Sequence, residues 1–181
     1  KLHAYCDAAP YMVIDLSAGS EAEKYPVSYL SEIPEGGWTT EPYKTTKMVF
    51  RLIPPGNQGG ATITKPFYCA LFPITYRQYS LIVGGSSSSS DWYRGLSYDM
   101  IRGRVLGSQW PKFQQVDGDS LLAKLRLRTG FTIDLPTLGQ WCQATYPSTG
   151  SPWAWEMKGV REIGEWCLDW GEGYAQKGGS N

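Results

Sequence analysis

Short β-favouring runs fill the first half of this chain, and runs with helix start and stop signals come after them. That order constrains the fold most, because strands followed by helices among further short strands read as α+β, whereas a parallel sheet needs strict β-α alternation. Residues 11–16, with Tyr11, Met12, Val13, Ile14 and Leu16, form the first run. Residues 47–53 form the second, and their alternation puts Met48, Phe50 and Leu52 on one face. Between them, residues 31–46 carry Pro34, Gly36, Gly37 and Pro42 and read as loop. Pro54-Pro55-Gly56 closes the second strand, and residues 61–64 and 67–71 read as another pair turning at Lys65-Pro66.

Three helices are expected next. Thr75 can cap one that carries Tyr76, Tyr79 and Val83 on a face and ends at Gly84-Gly85. Asp117 or Asp119 can start the next, with Leu121, Leu122 and Leu125 inward, Arg126 and Arg128 in the last turn, and Gly130 as the stop. Thr137 and Gln140 make a capping box for the third, which Pro147 ends. The serine run 86–90 reads as a flexible surface loop in preference to a glycosylated or ligand-contacting segment.

Composition narrows the function. A chain of 181 residues is long enough for one domain with a real core. Lys+Arg and Asp+Glu are 17 each, which leaves no basic footprint for nucleic acid. No apolar run reaches the length of a membrane span. The 8 Trp and 12 Tyr residues fit an irregular aromatic core, with a carbohydrate-type binding face as the alternative. Four cysteines without a CxxC spacing argue against zinc and lean towards disulfides in an oxidising compartment, with buried thiols as the alternative. The expected location is therefore extracellular or at the cell surface. His3 is the only histidine and reads as a solvated bystander near the terminus.

Five motifs, in order, carry a resemblance. They are Phe67-Tyr68-Cys69-Ala70 leading through Pro73-Ile74-Thr75 to Gln78-Tyr79, then Leu96-Ser97-Tyr98-Asp99, then Arg126-Leu127-Arg128-Thr129-Gly130. Leu135-Pro136-Thr137-Leu138-Gly139-Gln140-Trp141-Cys142 follows, and Gly164-Glu165-Trp166-Cys167-Leu168-Asp169-Trp170 ends the series. The chain thus resembles the sulfatase-modifying-factor family, whose founding activity is formylglycine generation. The resemblance implies a C-type-lectin-like fold, loop-rich, with a mixed twisted sheet flanked by helices. Residues 47–181 would be the family domain, and residues 1–46 an N-terminal β segment packed on it, like the extra segment of some secreted bacterial members.

The same resemblance makes Trp141, Trp166 and Trp170 core-filling groups. It makes Glu165 and Asp169 buried acceptors for backbone donors in preference to catalytic acids. Cys142 stands where the family has Glu, and a Cys142–Cys167 disulfide is expected, with Cys6–Cys69 as a second. Family chemistry uses two closely spaced C-terminal cysteines to bind copper(I) near an arginine-rich tail. Here no cysteine follows Cys167 and no arginine follows Arg161. No catalytic residue and no cofactor is therefore expected; copper is disfavoured and calcium is left open. The leading expectation is a non-catalytic binding or display module with a protein or glycan ligand. The alternatives are a subunit of an extracellular homo-oligomer that uses its N-terminal β segment, and a fragment of a formylglycine-generating oxidase.

Overall fold

The computed structural model describes residues 8–58, 61–104, 110–145, 164–166 and 175–177. Its centre is an antiparallel sheet of four strands: β1 (Tyr11–Asp15), β2 (Val27–Leu30), β3 (Lys47–Ile53) and β6 (Phe67–Ala70), ordered β2-β1-β3-β6. The strand nearest the N-terminus is thus an inner one, with Val13 opposite both Ser28 and Val49. The chain is α+β, as its sequence pattern implies.

Alternation along β1 and β3 sends side chains to two covered faces. Met12, Ile14 and Phe50 pack beneath α2 (Tyr76–Val83) and α4 (Leu121–Thr129), meeting Leu81, Ile82, Leu121, Leu122 and Leu125. The opposite face carries Val13 and Val49, enclosed by Trp38 with Tyr11, Tyr43, Leu71 and Phe72 around it. Two cores on one sheet need cover from the 31–46 segment. That segment is not all loop: α1 (Glu41–Thr45) sits inside it. Pro42 was expected to break structure there, but in the first turn its missing N–H has no helical partner to lose.

The expected pairing of residues 61–64 with 67–71 is not found. β5 (Ala61–Ile63) pairs with β4 (Gly56–Gln58), and β6 pairs with β3. Gly56 therefore begins a new strand, with two residues between it and the end of β3 at Ile53. Its backbone lies so close to Gln143 that an added Cβ would meet the side-chain nitrogen at 2.3 Å.

The helices follow their caps. Gly130 ends α4 in the left-handed conformation, φ 75°. Ser120, rather than either aspartate, caps its start and accepts from Ala123. Asp117 is turned instead to the preceding turn, accepting from the Asp119 N–H at 3.2 Å. A short α3 (Tyr98–Arg102), capped by Ser97, was not anticipated. α5 (Leu138–Thr145) opens on the reciprocal Thr137–Gln140 bonds at 3.0 and 3.2 Å; Pro147 lies outside the described residues. β7 (Gly164–Trp166) and β8 (Ala175–Lys177) pair with each other, Glu165 opposite Gln176. Among the described residues no helix is long and apolar enough to cross a membrane.

Candidate binding face

The N-terminus of α2 organises the most distinctive surface. A helix start leaves several N–H groups without helical partners, and here each finds one. The Thr75 hydroxyl accepts from the Gln78 N–H at 3.1 Å, while the Gln78 amide oxygen accepts from the Thr75 N–H at 3.0 Å. The Tyr76 N–H donates to the Asp91 carbonyl at 3.0 Å and the Arg77 N–H to the Ser89 carbonyl at 2.9 Å. The Tyr93 N–H returns a bond to the Ile74 carbonyl at 2.8 Å.

The serine run is a segment without helix or strand, with Ser86 and Ser88 exposed as expected of a surface loop, and the carbonyls of Ser87 and Ser89 tie it to Arg77 of α2. It leaves the C-terminal end of α2 and comes back to its N-terminal end. The Ser89 hydroxyl accepts from the Asp91 N–H and donates to the Asp91 carboxylate, both at 3.1 Å. The Arg77 guanidinium donates to the Ser87 carbonyl at 3.4 Å.

Beside this base lie five half-buried rings in two groups, with Tyr79 packed on the first core and Phe72 on the second. Tyr93 lies between Tyr76 and Tyr79, with centroids 4.3 and 4.7 Å away. Trp92 stacks on Phe72 at 5.7 Å and 15°. Burial pushes the Tyr79 phenol above its ordinary pKa, and neighbouring Tyr93 adds to this. Tyr76 and Tyr79 share a helix face, as expected, and both meet Tyr93, while the most buried residues of α2 are Gln78, Ser80, Leu81 and Ile82. Nothing in the sequence singled out Trp92 or Tyr93. Asp91 and Arg94, which flank Trp92 and Tyr93 in the chain, are exposed, as are Ser86 and Ser88. Aromatic faces with hydroxyl, carboxylate and guanidinium groups at the rim can hold a ligand that is part apolar and part polar.

The base is itself fixed to the sheet. Gln78 is buried, and its amide nitrogen donates to the Lys47 carbonyl at 2.7 Å and the Tyr43 carbonyl at 3.1 Å. The Thr75 hydroxyl donates to the Lys44 carbonyl at 2.8 Å. The signal for this was in the sequence: a Thr three residues before a Gln at the head of an apolar run is a capping box.

The first family motif supplies Thr75, Gln78 and Tyr79 to this site, and the other motif residues lie elsewhere. Trp141 and Cys142 are half-buried on α5, and Cys69 is half-buried on β6. Glu165 and Trp166 occupy β7. Cys6, Cys167, Asp169 and Trp170 lie outside the described residues, so both expected disulfides have a member there. Two matched motifs meet in an ionic knot. The Asp134 carboxylate accepts from Arg102 at 2.8 and 2.9 Å and from Arg126 at 2.6 Å. Arg102 is 2% exposed. Two further donors go to the Tyr98 hydroxyl and the Phe113 carbonyl, which makes the knot a structural tie between α3, α4 and their loops. Among the described residues no three His, Cys, Asp or Glu side chains gather where they could share a metal ion. No known protein family, curated protein or solved structure matches this chain.

Proposed function

We propose that this chain is a non-catalytic binding or display module of the extracellular space or cell surface, built on a C-type-lectin-like formylglycine-generating-enzyme fold. The aromatic face made by the Tyr76–Tyr93–Tyr79 cluster, with the Trp92–Phe72 stack next to it in the chain, carries the reading. Its rings sit on backbone held by a satisfied helix start, so little ordering has to occur when a ligand arrives. The ligand is a protein or a glycan.

Screening the protein against glycan and protein arrays tests this. A hit should weaken about tenfold or more when Trp92 and Tyr93 are both replaced by serine, as for aromatic anchors elsewhere. The circular dichroism of the variant should remain that of the parent. Undiminished binding would place the ligand on another surface. Reduced, copper-loaded protein should leave a Cys-x-Pro-x-Arg peptide unchanged; aldehyde formation dependent on Cys142 or Cys167 would return the chain to the enzymes.

A further inference from the structure

The outer edge of β2 is laid out for self-pairing. The Asp15 N–H donates to the Pro26 carbonyl at 2.9 Å, which fixes the phase of the β1–β2 ladder. With Val13 opposite Ser28 and Tyr11 opposite Leu30, antiparallel alternation turns the backbone groups of Ser28 and Leu30 towards β1. Those of Val27 and Tyr29 point away from it. Among the described residues, no backbone hydrogen bond reaches these outward groups.

The strand lacks most of the devices that keep edges apart. Val27–Leu30 contains no charge and no proline, and proteins usually guard an edge with one or the other or with a bulge. Tyr29 is 52% exposed and Ile33, just beyond the strand, 54%.

We propose that β2 pairs antiparallel with β2 of a second copy about a two-fold axis through Ser28, merging the two four-stranded sheets into one. This rests on the assembly reading of the N-terminal β segment and is independent of the aromatic face. A two-fold contact needs a self-complementary patch, and the ladder parity supplies it. Outward groups must meet outward groups, so Val27 faces Tyr29 of the second copy, and Tyr29 faces its Val27. Each pair exchanges two backbone bonds. A register centred on Tyr29 would need Ser31, which lies past the end of the strand. Centring on Ser28 keeps every new bond inside β2.

Side chains follow the same geometry. Tyr29 shares the sheet face of Met12 and Phe50 and would stand directly opposite Val27 of the second copy, while its ring keeps its contact with Tyr68 of its own chain at 6.2 Å. The two Ser28 side chains meet across the axis as a non-hydrogen-bonded pair, their Cα atoms about 4.5 Å apart. That separation suits a disulfide. One short strand per partner buries little surface, so the dimer is weak and exchanges rapidly.

Two measurements decide it. Sedimentation equilibrium from micromolar to millimolar protein should show the mass climbing towards twice the monomer, with Tyr29→Lys remaining monomeric. Under mild oxidation Ser28→Cys should form a covalent dimer about tenfold faster than Leu127→Cys, because pairing raises the local thiol concentration. Leu127 is a fair control: it is 81% exposed and lies on α4, off the edge. A monomer at every concentration, a dimer that survives Tyr29→Lys, or equal cross-linking rates for the two cysteine variants would each overturn the proposal. None of these variants touches the rings of the aromatic face, so array binding is an independent readout.

Discussion

Arg128 on α4 lays its guanidinium 5.4 Å over the ring of Tyr25 and donates to that ring's hydroxyl at 3.0 Å. The contact joins the N-terminal segment to the second helix of the first core. Arg128 also donates to the Ile82 carbonyl at 2.6 Å and to the Ser20 carbonyl. The Tyr25 hydroxyl proton lies between the carbonyls of Leu81, at 2.9 Å, and Gly19, at 3.0 Å. The Tyr25 N–H donates to the Arg128 carbonyl at 2.9 Å, closing the contact through the backbone.

Tyr25→Phe removes the hydroxyl and leaves the Leu81 carbonyl and an Arg128 donor without that partner. The expected loss is about 1–3 kcal/mol of unfolding free energy. Urea titration should show it as a lower midpoint with an unchanged slope. An unchanged midpoint would mean that the hydroxyl network contributes nothing net.

Asp134→Asn is expected to be more costly. Arg102 and Asp134 have side chains 1% and 6% exposed, so neutralising the acid leaves a buried guanidinium without its counter-charge. Breaking such a pair typically costs about 3–5 kcal/mol. Replacing both residues, as Arg102→Met with Asp134→Leu, should cost clearly less than the sum of the single changes. Additivity in that cycle would show the two to be uncoupled.

Two glycines should resist alanine for different reasons. At Gly103, φ is 82° and a Cβ would lie 1.9 Å from that of Asp117, so backbone and packing both object. At Gly56 only the Gln143 side chain stands in the way, at 2.3 Å. Overpacking of this kind costs about 1–3 kcal/mol. Adding Gln143→Ala should recover part of the Gly56→Ala loss and none of the Gly103→Ala loss. Thermal melts of the two doubles distinguish the cases.

Alkali should destabilise the fold through its tyrosines. Burial raises the phenols of Tyr25, Tyr68 and Tyr79 above the ordinary 10.0, with Arg128 opposing the shift at Tyr25. A raised folded pKa gives stability that is whole below 10.0 and is lost as pH climbs through the folded values. Tyrosinate absorbance should therefore appear later in the folded protein than in urea. Asp15 works in the other direction. Burial pushes its carboxyl up, but the hydrogen bonds from Ser17 and the charge of Lys47 outweigh this and hold it below 3.8. Its contribution is present above that value and disappears as pH falls below it. Coincident folded and urea titrations for the phenols would refute the assignment.

Local signals were legible and long-range ones were not. β3 spans the seven residues its alternation marks, and α4 buries the three leucines chosen for it before stopping at Gly130. β2 escaped notice because Val27–Leu30 is short, follows a proline and has two exposed central residues. Ser120 won the cap from two aspartates because its own carbonyl-facing turn is closed by Asp117: Ser120 donates to the Asp117 carbonyl through both N–H, at 3.0 Å, and hydroxyl, at 2.6 Å. Five serines in a row look like slack chain until the carbonyls of two helix-capping partners, Ser89 and Asp91, are seen to fall within and just after them. The aromatic face needs that same return of the chain, so no window around Trp92 and Tyr93 could have revealed it.

The inner position of β1 also sets an order of events during synthesis. Tyr25 takes its acceptor from Leu81, 56 positions later, and its cation from Arg128, 103 positions later. β1 and β2 must therefore wait on leaving the ribosome, one apolar face uncovered, until α2 and then α4 have emerged. Contacts of such separation slow folding and lengthen the exposure of unfinished sheet. β1 and β2 are made before either of the helices that enclose their first core.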